Sequence, residues 1–136
     1  MWIGEEFSMG KNVLVKPFKT YHVIPSQITD VIRSPEVAFT GDTMVFIVDE
    51  SNLDVLRAKV LIMEATFLDQ SVSIEHARSF GHVHLSEVVA LADHFHNKAI
   101  VLIHFSARYG QEEILSAIKN LPESLQSRVS ALTEGF

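Results

Sequence analysis

Cysteine is absent from the 136 residues, so no disulfide staples the fold and no thiolate can bind a metal. Any ion the chain holds must sit on histidine, aspartate or glutamate. Long apolar runs are missing too; none reaches the roughly 20 residues that a membrane-spanning helix needs. The opening residues, MWIGEEF, have no basic stretch leading into an apolar block, which speaks against a secretory leader. Positive charge is in deficit. Eleven Lys and Arg against 17 Asp and Glu leave a formal net charge of −6, which argues against broad, unspecific binding to nucleic-acid backbones. RNA is still possible at a local basic patch, and an acidic metal site turns electropositive once a divalent ion is bound. These absences fit an intracellular protein with one domain's worth of sequence.

What is present is a chain that is 47% hydrophobic and carries seven histidines. Short apolar runs alternate with helical patterns. Asn12–Phe18 reads as a strand, which Pro17 confines to an edge or an end. Glu36–Thr40 and Met44–Val48 are further strand candidates. Val60–Met63 and Ala99–Ile103 read as buried strands, and Val129–Leu132 as a final one. Helices are expected over Asn52–Lys59, over Ser73–Phe80 (Ser71 or Ser73 as N-cap, Gly81 as stop), over Leu85–Phe95 and over Gln111–Lys119. In the last of these Ile114, Leu115 and Ile118 are expected to face inward, with Pro122 closing the helix. The stretch from Gln27 to Pro35 fits neither helix nor strand well. Strands alternating with helices predict an α/β layered fold with no internal repeat.

The polar residues that follow the strand-like runs are the candidates for chemistry, because strand ends are where layered α/β folds gather functional groups. Asp42, in FTGDT, is either a carboxylate offered to a metal through a glycine turn or a turn residue capping its neighbours. His104, in IHFSARY, follows four aliphatic residues. Either a metal or a carbonyl hydrogen bond would satisfy it there. Arg108 nearby suits a phosphate or a carboxylate. Glu64, at the end of VLIM, needs a partner if buried, and His82 in GHVHLSE would form with it either a proton relay or a structural ion pair. His82-x-His84 is also a weak two-ligand pattern. His76, His94 and His96 read as solvated.

Taken in order, GEEF, KPFKTYHVIPSQ, PEVAFTGDT, MEATFLDQSVSIEHARSFGHVHLSE and KAIVLIHFSARY resemble the tRNase Z family, and within it the short plant-type enzymes. The resemblance runs from about Ile3 to Phe136. It implies a metallo-β-lactamase fold, a four-layer sandwich of helices, sheet, sheet and helices. The chain would form the C-terminal half of it as a single partial domain over residues 1–136. It further implies tRNA 3′-end processing: a metal-activated hydroxide, two zinc ions per complete site, precursor tRNA as substrate and a homodimer. By the same resemblance His22, Asp42 and His104 match metal ligands, and Glu64 and His82 match the pair that relays a proton to the leaving group. Cytoplasm or nucleus is the expected location, or an organelle reached by a longer precursor.

Three departures from the family pattern stand out. No H-x-H-x-D-H motif occurs, although in the family it supplies most zinc ligands. Between Gln27 and Ile28 the chain omits the segment expected to hold a core strand and the tRNA-gripping arm. Met63 stands where many relatives have histidine. A catalytically incomplete remnant that acts through a complete subunit is therefore the alternative to an enzyme.

Overall fold

In a computed structural model the described residues are 6–8, 14–19, 27–32, 36–45 and 52–133. Two sheets organise them. Strands β1 (Phe7–Ser8), β2 (Leu14–Lys19) and β3 (Gln27–Ile32) form an antiparallel sheet in that order. Strands β4 (Val37–Phe39), β5 (Val60–Glu64), β6 (Ala99–Ile103) and β7 (Val129–Ala131) form a parallel sheet, again in chain order.

Of the stretch that the sequence leaves unassigned, Gln27–Ile32 is a strand, and residues 33–35 lie outside the described set. β3 pairs along its whole length with β2, from Lys19↔Gln27 to Leu14↔Ile32. Four of its six residues are β-branched (Ile28, Thr29, Val31 and Ile32), and such side chains favour extended backbone. Pro17 is tolerated in the middle strand because the described pairing with β1 ends at Val15. Of the expected strand Met44–Val48, Met44 and Val45 are not extended, and residues 46–50 lie outside the described set.

The parallel strands connect through helices α1 (Leu53–Arg57), α2 (Ile74–Ser79), α3 (Leu85–Ala90), α4 (Gln111–Lys119) and α5 (Glu123–Gln126). Alternation along the strands buries Leu61, Met63, Ile100, Leu102 and Val129 in one cluster with Val55, Leu56, Val88, Leu121 and Leu125. Met63 is fully buried there. Its side chain therefore serves packing.

Two helix expectations need correction. The helix read as Leu85–Phe95 stops at Ala90 and is followed by a 3₁₀ turn over Ala92–His94, because Leu91 leaves helical geometry at φ −106°. Leu115 is exposed rather than inward; the inward arc of α4 runs through Ile114, Ala117 and Ile118. α4 ends at Lys119 with Asn120 as its C-cap, two residues before Pro122, which stands at the N-cap of α5, a helix the sequence does not announce. Since β4, β5 and β6 are parallel, their C-terminal ends share one sheet edge. That edge carries the polar residues.

Candidate metal and proton-transfer site

Glu64 is the last residue of β5 and has no exposure to solvent. A buried carboxylate must be matched by donors, and four groups supply them. Thr43 N–H donates to Oε1 at 2.6 Å and Val83 N–H to Oε2 at 3.1 Å. The Thr66 hydroxyl donates to Oε2. His82 Nδ1 lies 3.0 and 3.1 Å from the two oxygens. These donors come from the loop after β4, the loop that leads into α3, and the extension of β5. One side chain therefore fixes three separate segments around the edge.

Asp42 is carried on the first of these loops. Thr40 N–H still bonds Ile62 O at 3.0 Å, and Gly41 then turns the chain at φ 61°, a conformation that suits glycine. The clamp on Thr43 N–H holds Asp42 just outside the buried layer. His104 follows β6 and is the one non-glycine residue with positive φ among those described, at 61°. Its Nε2 lies 3.5 Å from Asp42 Oδ1, and its Nδ1 lies 3.0 Å from Thr66 Oγ1. The rings of His82 and His104 stack with centroids 5.2 Å apart.

The hydrogen bonds dictate tautomers. With Glu64 as acceptor, His82 carries its hydrogen on Nδ1, so its lone pair is on Nε2. One donor atom each from Asp42, His82 and His104 falls within 4.8 Å of the others. Donors bound at 2.0–2.1 Å to a tetrahedral zinc sit about 3.3 Å apart, so the Asp42–His104 separation fits an ion with little adjustment. The Asp42–His104 contact is satisfied either by a hydrogen on His104 Nε2 or by a cation shared between the two groups. The donor set suits a divalent metal.

The structure therefore brings together Asp42, Glu64, His82 and His104. His22 lies outside the described residues. Arg108 is exposed and stands 5.5 Å over the ring of Phe67, whose edge meets His82 with centroids 6.4 Å apart. His84 belongs to no metal set among the described residues. It is buried as the N-cap of α3, accepting from Ser86 N–H, while its Nε2 lies 2.9 Å from Asp69 O. His76, His94 and His96 are exposed, in line with the sequence reading. Thr66 escapes that reading, although its position two residues beyond Glu64, on the same side of an extended segment, is a usable signal.

The loop bearing Arg108 is tied down from the other side. Asp69 Oδ1 accepts from Ser71 Oγ–H, from Ser71 N–H at 3.1 Å and from Tyr109 O–H at 3.2 Å. The Ser71 hydroxyl, helped by Ser71 N–H, Tyr109 and the charge of Arg108, lowers the Asp69 pKa below its ordinary 3.8. A carboxyl depressed in the folded state stabilises above its unfolded pKa, and that contribution is lost as pH falls through the folded value. We expect the Asp69 carboxyl resonance in an NMR titration to turn over below 3.8, and Ser71→Ala to raise that midpoint.

No family model matches the sequence. Among curated proteins the chain is 52% identical to tRNase Z TRZ1 of Arabidopsis thaliana over 98% of its own length and 60% of that protein. The aligned region is 167 positions long, 31 more than the chain has residues, so at least that many positions of the relative have no counterpart here. Among solved structures the fold superposes on the metallo-beta-lactamase fold protein YhfI from Bacillus subtilis with a TM-score of 0.73 at 19% identity. That match covers 100% of the chain and 53% of YhfI. Human tRNase Z, short form, gives a TM-score of 0.65 at 24% identity, covering 93% of the chain and 43% of the human protein. The architecture is that of the metallo-β-lactamase fold. The chain spans about 60% of the length of the plant relative it matches.

Proposed function

We propose that the chain belongs to the tRNase Z family and carries the C-terminal half of a metal-dependent tRNA 3′-processing site, as a single partial domain over residues 1–136. The observation that carries this reading is the convergence of Asp42, His82 and His104 around the buried Glu64. The substrate would be precursor tRNA with a 3′ trailer, and the reaction the hydrolysis of a phosphodiester. Water adds across the P–O3′ bond. Its oxygen joins phosphorus, and a proton passes to the departing ribose O3′, leaving a tRNA 3′-hydroxyl and a trailer with a 5′-phosphate.

Asp42 and His104 would hold the ion, zinc by family descent, with His22 a further ligand. When bound, the metal supplies Lewis acidity and a nucleophile at neutral pH. His82 would deliver the proton from Nε2, while Glu64 holds Nδ1–H and balances the imidazolium. Arg108, with its charge at the rim, would meet a backbone phosphate. Dimerisation through the complete family fold, and a cytoplasmic or nuclear location or import as part of a longer precursor, belong to the same reading. Among the described residues no helix is long and apolar enough to cross a membrane.

A second reading is favoured by the donor inventory. The residues given contain no H-x-H-x-D-H motif, and Asp42, His22 and His104 cannot fill two shells of about four ligands. The chain would then act only through association with a complete subunit. The two readings separate on one assay with purified chain, zinc and a precursor tRNA. Trailer release with at least one zinc per chain supports the enzyme. Absence of cleavage with less than one zinc per chain supports the remnant.

A further inference from the structure

We propose that Thr66 is a positioning residue that locks His104 in the Nδ1–H tautomer, so that Nε2 faces the metal. The inference builds on the metal-holding reading of Asp42 and His104 and adds a residue that touches neither ion nor substrate.

The argument is a count of hydrogens. A threonine hydroxyl has one hydrogen and two lone pairs, and a carboxylate only accepts. Thr66 Oγ1 contacts both Glu64 Oε2 and His104 Nδ1. Its hydrogen is committed to Glu64, so the contact with His104 works only if Nδ1–H donates to the hydroxyl oxygen. The lone pair of the neutral ring then lies on Nε2, the atom 3.5 Å from Asp42. Were Nδ1 the acceptor, Thr66 would abandon Glu64, and Oε2 would face an oxygen lone pair where water has little access. Thr66 is 6% exposed and Glu64 is 0% exposed.

The backbone sets this up. Ala65 N–H bonds Ile103 O at 3.0 Å and Ser106 N–H bonds Thr66 O at 2.9 Å, which extends the β5–β6 ladder past the strand ends and places Thr66 opposite His104. The left-handed backbone at His104 aims the ring, and the hydroxyl fixes its hydrogen. Glu64 thus orients both imidazoles, His82 directly and His104 through Thr66. Outer-shell partners of this kind commonly set the tautomer of a metal-binding histidine.

The test uses the full, metal-free chain labelled with ¹⁵N, and long-range ¹H–¹⁵N correlation of the histidine rings. His104 should show the Nδ1–H pattern, and Thr66→Ser should keep it. Thr66→Val should shift the ring to the Nε2–H form or a mixture, and weaken zinc binding about 10–100-fold in competition with a chromophoric chelator. Thr66→Ser should bind close to wild type. An Nε2–H tautomer in the wild type, or undiminished zinc affinity in Thr66→Val, overturns the proposal. If Thr66→Val does not fold, the wild-type and Thr66→Ser spectra still decide. An Nδ1–H tautomer in a chain that takes up no zinc would defeat the metal reading instead, and leave the role of Thr66 in orienting the ring standing.

Discussion

Glu64→Ala is expected to cost the fold about 3–5 kcal/mol, the upper end for a single substitution, which comes from breaking a buried hydrogen-bond network. The reason is the number of groups it would strand. Thr43 N–H, Val83 N–H, the Thr66 hydroxyl and His82 Nδ1–H all converge on this carboxylate, and unsatisfied buried donors cost about 1–3 kcal/mol each. Some would find water through the cavity left behind, so the total falls short of a simple sum. Glu64→Gln keeps the volume but turns one acceptor into a donor that faces other donors, so it should lose less than alanine but well over 1 kcal/mol. Denaturant unfolding of the three proteins measures this. Equal midpoints for wild type and Glu64→Ala would show that the carboxylate does not organise the edge.

Asp42→Ala should behave in the opposite way. The side chain is 46% exposed, and surface substitutions of this kind usually change stability by no more than about 0.5 kcal/mol. Metal binding should collapse nonetheless. The proposed ligand is lost, so the fall should exceed the roughly 10–100-fold typical of an outer-shell partner, and any trailer cleavage should vanish with it. The contrast is diagnostic. Glu64 is buried at the centre of the edge and serves the fold and the site together, whereas Asp42 is half exposed at its rim. An Asp42→Ala chain that binds zinc as tightly as wild type would remove the aspartate from the metal set.

The strands that matter most for the site were legible because they are buried on a simple plan. Ala99–Ile103 is an uninterrupted aliphatic run and folds with those bounds, and Val60–Met63 needs only Glu64 added. Gln27–Ile32 was harder. Its Asp30 and the proline beyond it hide a strand whose identity depends on its pairing with β2, from Lys19↔Gln27 to Leu14↔Ile32. Leu115 illustrates a second limit: Ile114, Leu115 and Ile118 span an arc of about 100° on the helix, and which edge of such an arc is left in water is set by neighbouring elements.

At the site, residue types at strand ends pointed to Asp42, Glu64 and His104, the need of a buried Glu64 for a partner pointed to His82, and the resemblance alone pointed to His22, which lies outside the described residues. What no pattern conveyed was the direction of each hydrogen. The role of Thr66 exists only because a hydroxyl stands between a carboxylate and a ring across 38 residues of sequence. The capping role of His84, which removes it from the metal question, depends likewise on backbone that only the fold assembles.

Zinc titration of the ¹⁵N-labelled full chain, followed at the histidine ring nitrogens, bears most directly on whether this sheet edge holds a cation. The account predicts saturation at one zinc per chain with a large shift at His104 Nε2, and loss of that shift in Asp42→Ala. Zinc taken up at His94 or His96, with His104 unmoved, would contradict it.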